Sequence, residues 1–273
     1  MGLRIDSRVP LNHGGPMPVF GLGVWQIRGK EGVRAVRHAL DVGYRLIDTA
    51  SMYGNEKEVG QAVRESGVPR DEVFVTTKVW NDEQGYESTL RACEASLKRL
   101  GMDYVDLYLV HWPVPARRAE TWRAMERLLK EGKARAVGVS NYMVRHLDEL
   151  KDRAVTPAVN QIELHPFLQP RDAIDLCRKC GIAVEAYSPL VRGRRMDDRT
   201  VAGIAATHGK TVAQVMIRWG LQHRFVEIPK SSRPERIEEN ADVFGFTLNP
   251  EEMRVLDALD EQHHVTWDPT REP

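Results

Sequence analysis

Eight apolar runs punctuate the chain: YRLIDTA (44–50), VFVTTKVW (73–80), YVDLYLVHWP (104–113), ARAVGVSN (134–141), AVNQIELHP (158–166), IAVEAYSPL (182–190), VEIPKS (226–231) and the weaker ADVFGF (241–246). Their nearly continuous Val, Ile, Leu and Tyr content predicts strands buried on both faces, as in a parallel sheet. Between them lie VRAVRHALDVG, ESTLRACEASLKRLG, TWRAMERLLKEGK and RDAIDLCRKCG, with apolar residues at helical spacing and charges on the opposite face. Gly43, Gly101, Gly132 and Gly181 close these four patterns, as helix C-termini prefer. Strand followed by helix, repeated along one chain, predicts an α/β fold of the (β/α)8 TIM-barrel type. Ahead of the run at 226–231, counted seventh, DRTVAGIAATHG and TVAQVMIRWGLQH predict an extra helix, and residues 249–262 predict a final one at the C-terminus. The opening VPLNHGGPMPVFGLG reads as an N-terminal β-hairpin before strand one. An open doubly wound sheet is the competing architecture.

Composition narrows the classes. At 273 residues the chain suits one large barrel domain spanning 1–273, with core enough to need no staples. Thirty-nine Lys and Arg balance thirty-nine Asp and Glu, which argues against a nucleic-acid partner. No apolar run is long enough for a membrane span, and MGLRIDSRVP lacks the apolar core of a secretory signal. Three cysteines make no disulfide framework. A cytoplasmic monomer is expected.

In such a barrel the chemistry sits at the carboxyl ends of the strands. The residues there are Asp48, Lys78, His111, Ser140 with Asn141, Gln161 with Glu163, Ser188, and Lys230 with Ser231. One polar strand end is commonly a cap or a turn; a converging ring of them is not so simply explained. Lys78 sits between VFVTT and Val-Trp, where its ammonium needs a carboxylate partner or a depressed pKa. Asp48, one run earlier, could be that partner. Tyr53 lies in the first strand-to-helix loop, and His111 ends the longest apolar run.

These segments (DTASMYGNE, TTKVW, LVHWP, GVSN, NQIELHP, YSPL, IPKSSRPERIEEN) together resemble the aldo-keto reductase superfamily, most of all its bacterial 2,5-diketo-D-gluconate reductase-like members. The resemblance runs from about residue 10 to 260. It implies NADPH-dependent reduction of small aldehydes and ketones, with Asp48, Tyr53, Lys78 and His111 catalytic. A tyrosine of ordinary pKa is a slow proton donor near neutrality, and a cation beside it stabilises the phenolate. The resemblance also gives NADP(H) its ligands. Ser140, Asn141 and Gln161 would hold the carboxamide and Tyr187 would stack on the nicotinamide. Ser188 and Leu190 would follow the pyrophosphate. Lys230, Ser231 and Arg236 would meet the 2′-phosphate, with Glu239 and Asn240 near the adenine. Trp25, Trp80 and Trp112, with His111, would wall the substrate pocket.

From the residues alone, the cations of IPKSSRPER at the start of a helix pattern make a good anion site. Gly21-x-Gly23 is no dinucleotide fingerprint, since neither a third glycine nor a helix follows. The chain departs from the family at Val191-Arg192-Gly193, where a Gly-Gln/Ser-Gly turn is frequent, and its tail after 260 lacks the aromatic extension of larger relatives. Cys177-x-x-Cys180 lies within a helix pattern without a second ligand pair, so no metal site is expected. Two alternatives stand beside the reductase. One is a barrel glycosidase using Glu163 and Glu185, which leaves Lys78 unexplained. The other is a non-enzymatic, NADP-binding regulatory barrel.

Overall fold

The computed structural model describes residues 2–271 of the expected 1–273 domain; positions 1, 272 and 273 lie outside the described residues. Two short strands, β1 (Arg8–Val9) and β2 (Met17–Pro18), pair antiparallel as the hairpin. The parallel strands β3 (Leu22–Gly23), β4 (Leu46–Asp48), β5 (Phe74–Val79) and β6 (Val105–Val110) follow. Next come β7 (Ala134–Ser140), β8 (Val159–Glu163), β9 (Ala183–Tyr187) and β10 (Val226–Glu227). They are hydrogen-bonded in chain order. The two ends of the sheet then meet. The Gly21 N–H donates to the Glu227 carbonyl at 2.9 Å, and the Glu227 N–H to the Val19 carbonyl at 3.0 Å. A sheet whose first and last strands bond to each other is a barrel, so the open-sheet alternative falls.

One strand sits elsewhere than the apolar pattern put it. The run at 241–246 is not a strand: Ala241 ends the helix Pro234–Ala241 and the next residues form a turn. The missing strand is β3, inside the segment assigned to the hairpin. It is only two residues long and ends in glycine, so it carries no apolar run to detect. The run at 226–231 is therefore the eighth barrel strand. The helices Arg199–His208 and Val212–Gln222 precede it, and Pro250–Asp257 is the C-terminal helix.

Strand alternation sorts every side chain to one of two places. In β5, Val75 and Val79 join the apolar layer under the helices, while Phe74 joins a smaller cluster inside the barrel. Thr76 and Lys78 share the parity of Phe74 and therefore point inward. The same register turns Leu46 and Asp48 of β4, and Ala183, Glu185 and Tyr187 of β9, to the interior. The amino end of that interior is filled by Met17, Leu46, Phe74, Leu107, Ala158 and Val226. Met17 comes from the hairpin, which thus plugs the floor; Asn12 Nδ2 donates to the Pro157 carbonyl at 2.9 Å beneath β8. With the floor apolar and closed, the inward-facing polar residues are left at the opposite end.

Candidate active site

Asp48 closes β4, Lys78 is the last inward residue of β5, and His111 directly follows β6. Tyr53 ends the short 3-10 turn Ser51–Tyr53 after β4, where Arg28 Nε donates to its carbonyl at 2.9 Å. The Lys78 ammonium donates to Asp48 Oδ1 at 2.7 Å, Asp48 Oδ2 at 2.8 Å and the Thr49 carbonyl at 2.9 Å. It stands 3.4 Å from the Tyr53 hydroxyl. The His111 ring lies edge-on to Tyr53 at 5.8 Å and to Trp80 at 5.0 Å between centroids. All four residues named from the sequence meet at one strand-end face.

The charges follow from burial and neighbours. Burial works against the Lys78 ammonium, but Asp48 and then Tyr53 outweigh it, holding its pKa above the ordinary value. Burial pushes the Tyr53 phenol upward, with Asp48 and Glu185 adding to the rise, while Lys78 pulls it down. The net direction is up, so the phenol keeps its proton at neutral pH. Burial, reinforced by Lys78, holds His111 well below the usual histidine range and keeps it neutral. Its Nδ1 is buried without a hydrogen-bond partner among the described residues. With neither ring nitrogen bonded to the protein among the described residues, this neutral imidazole is suited to a polar guest.

The residues named for the cofactor form two groups. Ser140 Oγ donates to the Gln161 carbonyl at 2.9 Å, Asn141 Nδ2 to the His111 carbonyl at 3.0 Å, and the Tyr187 hydroxyl to Asn141 Oδ1 at 2.8 Å. This group adjoins the tetrad, because Gln161 Nε2 also donates to Asp48 Oδ2 at 2.8 Å. Asn141 and Ser188 both take left-handed backbone conformations, φ 65° and 53°, of the kind found where a site dictates the chain path. The second group lies at the N-terminus of the helix Pro234–Ala241. Lys230, Arg233 and Arg236 are exposed there, and among the described residues none is ion-paired. Ser231 and Asn240 are buried, and Glu239 Oε1 accepts a bond from Thr211. Gly23 bridges Lys230 across the barrel closure, which ties this group to Trp25 two residues on. Three free cations at a helix N-terminus fit a phosphate, and the Asn141 cluster fits an amide.

Sequence reasoning gave Glu185 and Glu163 only a glycosidase role and missed what each one meets. Glu185 has no exposure; its Oε2 accepts from Gln161 Nε2 at 2.8 Å, and its Oε1 has no partner among the described residues. Burial first, and Asp48 second, push its carboxyl up to about 8. Its parity with Tyr187 on β9 was the available signal. Glu163, the other carboxylate of the glycosidase reading, is occupied: Oε1 accepts from the Val265 N–H at 2.7 Å and Oε2 from the Thr266 N–H at 3.0 Å. Neither oxygen faces a free cleft, so that reading loses its pair. At Val191-Arg192-Gly193, the Arg192 guanidinium lies over the Trp25 ring at 4.3 Å. The tail after 260 does supply an aromatic side chain: Trp267 packs against Trp112 at 5.5 Å between centroids. Together with Asn81, Asp82, Pro113 and Arg117 they line a pocket of about 450 Å3. Its Asn81 and Trp112 directly follow Trp80 and His111. No helix among the described residues is long and apolar enough to cross a membrane.

Residues 19–261 match the Aldo/keto reductase family. The glyoxal reductase of Bacillus subtilis is 50% identical over 271 residues, covering 98% of each chain. An aldo-keto reductase from a Medee basin deep-sea metagenome library matches in structure with a TM-score of 0.94 at 46% identity, over 97% of this chain and 99% of that one. The structure of a Gox0644 mutant in complex with NADPH matches with a TM-score of 0.92 at 42% identity, over 97% and 98% of the two chains.

Proposed function

The chain belongs to the aldo/keto reductase family, and from that premise we propose that its strand-end tetrad performs the family's carbonyl reduction on small aldehydes and ketones. The protein is an NADP-dependent oxidoreductase. When bound, the nicotinamide cofactor supplies the hydride. The chain's residues supply the proton, the orientation and the electrostatics. Tyr53 gives its phenolic proton to the carbonyl oxygen as that oxygen gains charge. Lys78 lowers the cost of the phenolate left behind, and Asp48 with the Thr49 carbonyl holds Lys78 in place. His111, neutral, donates from one ring nitrogen to the same oxygen and sets its position.

Ser140, Asn141 and Gln161 would hold the carboxamide, and Tyr187 would lie against the nicotinamide ring. Ser188 and Leu190 would run along the pyrophosphate, with Lys230, Ser231 and Arg236 at the 2′-phosphate and Glu239 and Asn240 by the adenine. Trp25, Trp80, His111 and Trp112 would wall the substrate. Glyoxal, the substrate in the name of the Bacillus subtilis relative, is a reasonable first candidate, and the keto sugars of the diketogluconate branch are a second. A single domain acting as a cytoplasmic monomer belongs to the same reading, and the zero net charge supports its having no nucleic-acid partner.

The observation that carries the proposal is the Lys78 ammonium, buried, held by both Asp48 oxygens and facing the Tyr53 hydroxyl. Tyr53→Phe keeps the ring and loses the proton. It is expected to lose at least about a hundredfold in kcat, the lower range for a general acid, while NADPH binding by fluorescence titration stays near wild type. Reduction within about tenfold of wild type would remove Tyr53 from the mechanism.

A further inference from the structure

After the helix Pro250–Asp257 the chain turns back over the carboxyl end of the barrel. The N–H groups of Glu261 and His263 both donate to the Phe167 carbonyl, at 3.2 and 3.0 Å. Glu163 then takes over. Its side chain is buried at the end of β8, points to the barrel mouth, and has no part in the proton path described above. Its two oxygens accept the Val265 and Thr266 N–H groups, and Oε2 also bonds the Thr266 hydroxyl. His165 Nε2 lies 3.2 Å from Oε1. The Thr266 hydroxyl is 2.9 Å from that of Tyr187, which bonds Asn141. The next residue is Trp267, 64% exposed and packed on Trp112.

We propose that Glu163 is a positioning residue for the substrate pocket: its carboxylate latches the tail so that Trp267 stands against Trp112 as a pocket wall and Thr266 braces Tyr187. The chemistry calls for a carboxylate. Two backbone N–H groups converge on one side chain, one at each oxygen, and only a group that accepts at both oxygens satisfies them. An amide of the same shape would turn its own N–H groups toward one of those donors. The latch matters most for carbonyl compounds bearing an aromatic or bulky apolar group, which reach the two tryptophans. A two-carbon dicarbonyl carries no such group and has little to gain from the Trp267 side of the wall. The inference rests on the reductase reading for its substrate arm, but the latch itself can be read without turnover.

Glu163→Gln tests it. In the cofactor-free variant, hydrogen exchange at the Val265 and Thr266 amides should accelerate by at least about tenfold, the equivalent of one charge-assisted bond. The KM for phenylglyoxal should rise about tenfold more than that for glyoxal, with the kcat ratio of the two moving less. In a Trp267→Ala background the same substitution should add less than about twofold to the phenylglyoxal KM, because the two act through one wall. Equal KM increases for both substrates, or full additivity with Trp267→Ala, would overturn the proposal, as would unchanged exchange. If Glu163→Gln does not fold, Thr266→Val removes the hydroxyl contact from the tail side while leaving the two backbone N–H bonds; a smaller change in the same KM ratio is then expected, and an unchanged ratio would overturn the proposal. A wild-type protein without any carbonyl turnover would sink the proposed function, and the exchange experiment would still decide the latch.

Discussion

Lys78 donates to two carboxylate oxygens and a carbonyl, with the Tyr53 hydroxyl just beyond, so its charge is fully engaged inside the protein. Lys78→Met strands a buried Asp48 carboxylate, and losing one partner of a buried pair costs about 3–5 kcal/mol. The variant should unfold at lower urea, and Asp48→Asn in the same chain should restore part of that loss. Its surviving activity should show the alkaline limb of the pH profile at higher pH. Lys78 is the group pulling the Tyr53 phenol down, and without it burial and Asp48 act unopposed. An unshifted limb would assign Lys78 a structural role only. Glu185 makes the opposite kind of pH statement. Its carboxyl is pushed up to about 8 from the ordinary 4.5, so between those values the folded state binds a proton that the unfolded state releases. Stability is thereby lost as pH rises through that window. Glu185→Gln keeps an acceptor for Gln161 and removes the titration. Its melting temperature relative to wild type should improve from pH 5 to pH 9, and a constant difference across that range would refute the assignment.

At the scale of elements, the helix Pro234–Ala241 shows how a short segment acquires a ligand preference. Pro234 at its first position removes one of the N–H groups that a helix start leaves unpaired, and Lys230, Arg233 and Arg236 remain exposed without carboxylate partners among the described residues. Each charge-assisted bond to a phosphate is worth about 1.5–3 kcal/mol, which solvent exposure and salt reduce. Arg236→Ala should therefore raise the KM for NADPH by roughly tenfold at low salt and leave that for NADH nearly unchanged. Equal effects on both cofactors would show that Arg236 does not meet the 2′-phosphate. Helix contacts impose a different demand at Gly60, in the helix Glu56–Glu65. A Cβ there would fall 1.9 Å from the Leu100 carbonyl oxygen at the end of the neighbouring helix. Gly60→Ala must push two helices apart, and a loss of about 1–3 kcal/mol in urea unfolding is expected from such overpacking.

At the scale of the molecule, closure joins the first barrel strand to the last through Gly21, Val19 and Glu227, so each edge of the sheet takes its backbone partners from the other. Far-UV circular dichroism and tryptophan fluorescence should follow one coincident denaturant transition, and separated midpoints would contradict a barrel folding as one unit. The same closure explains what the sequence did not disclose. Helices and long buried strands carry their period along the chain, which is why β4 to β9 and the four glycine-closed helices were legible from pattern. The tetrad was legible because Asp48, Lys78 and His111 end such runs and Tyr53 sits in a recognisable segment. Strand β3 is too short to carry a period and exists because β4 and β10 flank it; the apolar run at 241–246 has no such neighbours and stays a turn. Glu185 and Glu163 share strand parity with Tyr187 and Gln161, but parity assigns a face and not a partner. Whether Glu185 would meet Gln161 and Asp48, and Glu163 a tail a hundred residues away, depended on which distant segments the barrel brought together. The sequence by itself determined the elements and the residues at their ends, because those follow from local periodicity. Only the tertiary structure decided the partners, protonation and position of Trp267, because these depend on burial and on contacts between segments far apart in the chain.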